Sequence, residues 1–244
     1  MIAQPPDSGK LCVMAIAPER VLSNLREVRD RMAAAAARSG RCAEAVRLVA
    51  VTKTVAEDDI RTLVEAGQRD LGESRAQQLR DRARDLAGLP IIWHMIGRLQ
   101  RKNAKYIIPT AAMIHSVDSL ELAEEIGKRS SLAVAGAATC LLEVNSGEEQ
   151  KAGVPPDEAP AIARAVAGVP GIRLAGLMTM APLADDPQTV RPVFAALRQL
   201  LERINRDGGL PQPLTELSMG MSQDYEVAIE EGATIVRVGT ALFR

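Results

Sequence analysis

The sequence predicts an α/β protein, a single (β/α)8 TIM barrel with one extra helix on its N-terminal side. Three observations predict it. Short runs rich in Val, Ile and Leu, of the kind that form strands buried on both faces, recur eight times. A segment with helical spacing separates each from the next. No compositional break, low-complexity stretch or short-period repeat interrupts the alternation over 244 residues, a length that such barrels fill as one domain.

The elements follow in order. Residues 1–17 are expected to form a flexible extension, with Met14 as a second candidate start, and residues 18–244 the barrel. In 18–39, Val21, Leu22, Leu25, Val28 and Met32 fall at helical spacing, Pro18 suits the first turn and Gly40 stops the helix. This helix would cover the barrel floor or stand in for a missing last helix. The first strand runs from Arg47 toward Lys53. Glu57, Asp58 and Asp59 then open a helix that Gly67 ends, the acids suiting its positive N-terminus. Asp70-Leu71-Gly72 is a short strand leading through Glu73-Ser74-Arg75 into a polar helix. A strand over 91–96 precedes a helix over 100–108 closed by Pro109. A strand over 112–115 precedes a helix to Lys128, with Asp118 as its cap. The remaining strands are expected over 138–144, 172–178, 214–217 and 234–238, with helices over 156–166, 187–204 and 222–231 between them.

Composition excludes several functions. The formal net charge is −1 and the aromatic residues are one Trp, two Tyr and two Phe. A nucleic-acid binder needs a basic field and stacking rings, and this chain has neither. Cys12, Cys42 and Cys140 are scattered and lack metal-ligand spacing, which predicts a reducing compartment and no zinc site. No apolar run approaches the roughly 20 residues needed to cross a bilayer. Leu11-Cys12-Val13-Met14-Ala15-Ile16-Ala17 is short for a signal-peptide core and follows both an acid and a base, so the expected location is the cytoplasm.

The chemistry-bearing residues collect where barrel strands end, the side on which such barrels keep their active groups. Lys53 follows Arg47-Leu48-Val49-Ala50-Val51-Thr52. A lysine on a buried strand sits where the strand emerges, or is paired, or is neutral and nucleophilic, the state used for Schiff bases. Strand seven exits into Ser218-Met219-Gly220-Met221-Ser222 and strand eight into Arg237-Val238-Gly239-Thr240. Small residues and hydroxyls at two neighbouring exits suit a phosphate dianion. Arg237 inside a barrel needs a partner, either a ligand or a structural ion pair to Glu216. A Schiff-base lysine facing a phosphate cradle, with a cation between, describes pyridoxal phosphate.

From about Val21 to Phe243 the sequence resembles the YggS/PROSC group of pyridoxal phosphate homeostasis proteins, related to the N-terminal barrel of alanine racemase. The resemblance is carried by Ala50-Val51-Thr52-Lys53-Thr54, Gly72-Glu73-Ser74-Arg75, Trp93-His94-Met95-Ile96-Gly97-Arg98-Leu99-Gln100 and His115-Ser116-Val117-Asp118-Ser119. Gly176-Leu177-Met178-Thr179-Met180-Ala181-Pro182, Leu217-Ser218-Met219-Gly220-Met221-Ser222 with Asp224, and Val236-Arg237-Val238-Gly239-Thr240-Ala241-Leu242-Phe243 complete it. It implies that Lys53 forms a Schiff base with pyridoxal 5'-phosphate. It further implies that Ser218, with the backbone of Gly239 and Thr240, holds the phosphate and that Arg237 faces the pyridine nitrogen. Asn145, Met178 and His94 would line the pocket, with Ser74 and His115 as further candidates. Two positions depart from the family pattern: Ser74 stands where Asn is usual, and Phe243-Arg244 stands where the family continues Phe-Gly.

A cation against the pyridine nitrogen disfavours ring protonation and so weakens the ring as an electron sink. Related racemases draw a Tyr base from a second β domain, for which the barrel leaves no residues; Tyr106 and Tyr225 lie in other contexts. His94 and His115 are base candidates that serve equally well as hydrogen-bonded structural histidines. The resulting expectation is a monomeric protein that buffers pyridoxal phosphate or delivers it to apoenzymes, with little or no catalysis. The alternatives are a pyridoxal-phosphate-dependent racemase or lyase, a cofactor-free Schiff-base aldolase, and an interaction scaffold.

Overall fold

The computed structural model describes residues 16–133, 136–147 and 152–244. The expected extension at 1–17 and its signal-like stretch lie almost wholly outside these residues; Ile16 is described, and its amide donates to Asp59 Oδ1 at 2.9 Å. Eight parallel strands pair in sequence order and close on themselves. They are β1 Arg47–Val51, β2 Asp70–Glu73, β3 Ile92–Met95, β4 Ala111–Val117, β5 Ala138–Glu143, β6 Ile172–Met178, β7 Glu216–Ser218 and β8 Ile235–Val238. The helices are α1 Pro18–Arg38, α2 Glu57–Glu65, α3 Ala76–Asp85, α4 Leu120–Leu132, α5 Ala159–Ala167, α6 Arg191–Asp207, α7 Tyr225–Glu230 and the single turn α8 Thr240–Phe243. No helix among the described residues is long and apolar enough to cross a membrane.

Alternation along each strand builds two apolar layers. Leu48 and Ala50 of β1, Leu71 of β2 and Trp93 and Met95 of β3 face the helices and join the large outer core. Val49, Met113, Leu141, Ala175, Met178 and Ile235 point the other way and form a separate small cluster in the lumen. The lumen is therefore a packed core, as in other barrels of this size.

Of the two places expected for α1, it takes the second. Val21, Leu25, Val28 and Met32 are buried, and the helix packs on α7, α8 and α2, filling the gap that the one-turn α8 leaves in the outer ring. Asn24 Nδ2 donates to the carbonyls of Leu242 and Arg244 at 3.1 and 2.9 Å, while Arg31 and Arg38 pair with Glu226 and Glu230.

Three differences from expectation change an element's type or its cap. The helix expected at 100–108 is a 3-10 helix, Arg101–Tyr106, which is enough to bury Ala104 and Ile107 over the short path from β3 to β4. The helix expected from 187 begins as a 3-10 turn, Pro187–Val190, capped by Asp186. Ser119, not Asp118, caps α4: its hydroxyl accepts from Leu122 N at 3.4 Å, and Asp118 turns toward Arg98 at 3.7 Å.

Candidate functional site

Lys53 is exposed, two residues beyond the end of β1, so of the three states open to it the chain adopts emergence from the strand. The turn that carries it is clamped from outside the barrel by α3. Arg82 donates to the carbonyls of Thr52 and Val55, and Gln78 Nε2 donates to the Lys53 carbonyl at 2.9 Å. Arg82 also pairs with Glu73, which accepts from the Thr52 hydroxyl at 2.5 Å. Glu73 is fully buried, and burial pushes its carboxyl up; the charge of Arg82 and the Thr52 hydrogen bond pull it back. The Gly72-Glu73-Ser74-Arg75 motif thus serves the lysine through Glu73 from the helix-facing side. Ser74 is half-buried at the β2 exit, where its backbone packs so closely on Gly97 that a Cβ there would meet the Ser74 carbonyl oxygen at 2.4 Å.

Across the β1–β8 seam, β8 ends at Val238 and the chain passes through Gly239 into α8. A Cβ on Gly239 would meet Val51 Cβ at 3.2 Å and the Val51 carbonyl at 3.4 Å, so this exit lies directly against the strand end that leads to Lys53. The amides of Gly239 and Ala241 donate to Ser222 Oγ at 3.1 and 3.3 Å, and Thr240 between them is exposed. The loop bearing Ser222 is shaped by Gly220, at φ +92°, where a Cβ would lie 2.6 Å from Ala228 Cβ. Asp224 Oδ1 holds the same loop by accepting from Met221 N at 2.6 Å; burial raises this carboxyl, against the Met221 amide and Arg237.

Ser218 is not at this surface. It is fully buried at the end of β7, and its hydroxyl accepts from Arg237 Nη1 at 2.6 Å while lying 2.8 Å from His115 Nδ1. His115 Nε2 is 2.9 Å from His94 Nδ1, and His94 Nε2 is 2.9 Å from Asp70 Oδ1. Both histidines are buried inside the barrel. Arg237 donates also to the Thr179 carbonyl at 2.9 Å. The ion pair to Glu216 does not form, because Glu216 accepts from the Thr234 hydroxyl at 2.6 Å; among the described residues no carboxylate stands within ion-pair distance of Arg237. Burial lowers the guanidinium to about 10, against the attraction of Glu143 and Asp224, so it remains a cation at neutral pH.

Met178 lies in the lumen, in register with Ser218. Asn145 follows β5, with its amide donating to the Val154 carbonyl at 3.0 Å and its Oδ1 accepting from Gly147 N at 2.8 Å. Next to it, Glu143 is buried and raised to about 7 by desolvation and by Asp118, against Arg237 and Arg98. Four residues of this constellation escaped the sequence reading in these roles: Ser222, Glu143, Asp70 and Arg82. Ser222 stood inside a quoted motif and Glu143 inside an expected strand, whereas nothing local marks Asp70 or Arg82 as partners of an interior histidine and of the lysine turn.

Residues 20–244 match the family model described as alanine racemase, N-terminal domain. The pyridoxal phosphate homeostasis protein of Aquifex aeolicus is 40% identical over 220 residues, covering 90% of this chain and 95% of that one. The chain belongs to the alanine racemase N-terminal-domain family, in its pyridoxal phosphate homeostasis branch. Among solved structures of the family, PipY of Synechococcus elongatus with PLP bound superposes with a TM-score of 0.80 at 32% identity, over 92% of this chain and all of that one. An alanine racemase of Clostridium difficile shares the barrel at a TM-score of 0.72 and 16% identity, over 92% of this chain and 56% of its own length.

Proposed function

We propose that this protein binds pyridoxal 5'-phosphate through Lys53 and serves vitamin B6 homeostasis by storing the cofactor and releasing it to apoenzymes, as a cytoplasmic monomer with little or no turnover of its own. The observation that carries the reading is the contact of Gly239 with Val51. It sets an exposed primary amine and a set of backbone donors on adjoining strand exits, which are the two chemistries that an aldehyde and a phosphate on one ring require.

The donor set fits the group. The amides of Gly239 and Ala241 both donate to Ser222 Oγ, which leaves the Ser222 hydrogen to donate to an anion, and a Cβ on Gly239 would crowd Val51 at 3.2 Å. Pyridoxal phosphate supplies an aldehyde that condenses with amines and a ring that withdraws electrons from the carbon so attached. Lys53 offers the amine, the Ser222 hydroxyl offers a hydrogen bond to an anion and the Gly239 amide can turn from Ser222 to the same anion, and Arg237 keeps a positive charge in the lumen that opposes protonation of a nearby ring nitrogen. Storage rather than turnover is supported by the condition of the candidate bases. Both ring nitrogens of His94 and of His115 have partners, Tyr225 is buried beside Arg31, and Tyr106 lies under Arg80 and Lys105.

The test is the visible absorption of purified protein given pyridoxal phosphate. Wild type is expected to show the band of lysine-bound cofactor and Lys53→Ala to lose it. An unchanged band in Lys53→Ala would overturn the assignment, and rapid solvent deuterium uptake at amino-acid Cα positions would replace storage with turnover.

A further inference from the structure

We propose that His94 and His115 are positioning residues that join Arg237, beneath the cofactor-side mouth, to Asp70, at the opposite rim of the barrel, through one hydrogen-bond chain of fixed direction. The inference deepens the proposed function, since it rests on Arg237 facing the cofactor.

The direction follows from counting donors. A guanidinium only donates and an ionised carboxylate only accepts. Arg237 Nη1 donates to Ser218 Oγ, so the Ser218 hydrogen is free to point at His115 Nδ1. At the other end Asp70 Oδ1 only accepts, so a neutral His94 holds its proton on Nε2, at 2.9 Å, and a lone pair on Nδ1, toward which His115 Nε2 turns its proton across 2.9 Å. His115 Nδ1 is then left with a lone pair and accepts the Ser218 hydrogen at 2.8 Å. Each imidazole holds one proton, every hydrogen points from Arg237 toward Asp70, and no nitrogen or hydroxyl along the path lacks a partner. A chain polarised in one sense by a cation at one end and an anion at the other strengthens each of its links.

Two features support this arrangement over incidental packing. The chain runs beside an apolar cluster in the lumen that includes Val49, Met113, Leu141 and Met178, where a half-satisfied imidazole would be costly. Arg237 has no ion-pair partner among the described residues; Glu143 and Asp224 act on it through space, and the hydrogen-bond chain that starts from it ends on the carboxylate of Asp70. An extra proton on His94 would go to Nδ1 and face the His115 Nε2–H across 2.9 Å, and one on His115 would go to Nδ1 and displace the Ser218 hydrogen that points at it. The charged and titratable groups around the path are Arg47 and Asp70 at the lower rim and Arg237, Glu143 and Asp224 above. Burial, then His94, Arg237 and Arg47, hold His115 well below the ordinary histidine range.

The chain contains just two histidines, so the imidazole signals of the whole protein belong to the relay. Long-range 1H–15N correlation spectra of cofactor-free wild type near pH 7 are expected to show both rings neutral and protonated at Nε2. Asp70→Asn, which keeps a carbonyl acceptor, should preserve both tautomers. Asp70→Leu should shift His115 as well as His94 and, in loaded protein, weaken cofactor affinity about tenfold. A ring protonated at Nδ1, a doubly protonated ring at pH 7, or a His115 signal indifferent to Asp70→Leu would overturn the relay; wild-type spectra decide this even if the variants fail to fold. If the protein took up no pyridoxal phosphate, the functional reading would fail while these cofactor-free spectra still decided the relay.

Discussion

Gly239 lies against Val51, so closely that a methyl group placed on the glycine would meet the valine Cβ at 3.2 Å. Two neighbouring strand exits are thereby held at backbone contact, one leading to Lys53 and the other carrying amides toward Ser222. Gly239→Ala is expected to push them apart, costing about 1–3 kcal/mol of stability by overpacking and weakening pyridoxal phosphate binding. Urea midpoints and spectral titration read the two effects separately. Unaltered affinity in the folded variant would place the phosphate elsewhere.

The two serines of the strand-seven exit are expected to behave differently. Ser222→Ala removes a hydroxyl at the mouth and should cost an anion a charge-assisted hydrogen bond, about 1.5–3 kcal/mol, or roughly 10- to 100-fold in cofactor affinity. Ser218→Ala leaves Arg237 and His115 each short of a buried partner and should appear first as lost stability, about 1–3 kcal/mol. A reversed pattern in titration and denaturation would return Ser218 to the phosphate.

Arg82 is partnered by the buried Glu73 and spans carbonyls on both sides of Lys53. Arg82→Ala should destabilise the fold by about 3 kcal/mol, because it strands a buried acid. Arg82→Ala/Glu73→Gln should recover part of that stability but not the cofactor affinity, since the lysine turn stays unclamped. Full recovery of both would reduce the clamp to a charge effect.

Glu143 gives a pH dependence of definite sign. Its carboxyl is raised from 4.5 to about 7 in the folded protein, so the folded state binds the proton more tightly than the unfolded state does. Its contribution is most favourable below the unfolded value and is lost as pH rises through about 7, a span worth about 3 kcal/mol. In cofactor-free protein, Glu143→Gln should therefore gain on wild type by about 2–3 kcal/mol between pH 5 and pH 8. Parallel urea midpoints for the pair at both pH values would show an ordinary carboxylate instead.

The strand count and the strand-end positions of Lys53, Arg237 and Gly239 were legible because they depend on local periodicity and on residue types that are expensive inside a barrel. The α1 pattern was equally plain, yet its place beside α7 and α8 was not, because an apolar stripe records that a face is buried and not which neighbour buries it.

Sequence by itself determined the closed eight-stranded barrel and the strand ends at which its reactive groups emerge. Tertiary structure alone decided that Ser222 rather than Ser218 meets the Gly239 amide, that His94 and His115 spend their nitrogens on Asp70 and Ser218, and that Arg82 grips the lysine turn. The physical reason is that these partners lie on different strands and helices. Which side chains meet across a closed barrel depends on the relative shift and tilt of its strands, and those are set when the sheet closes, not within any one segment.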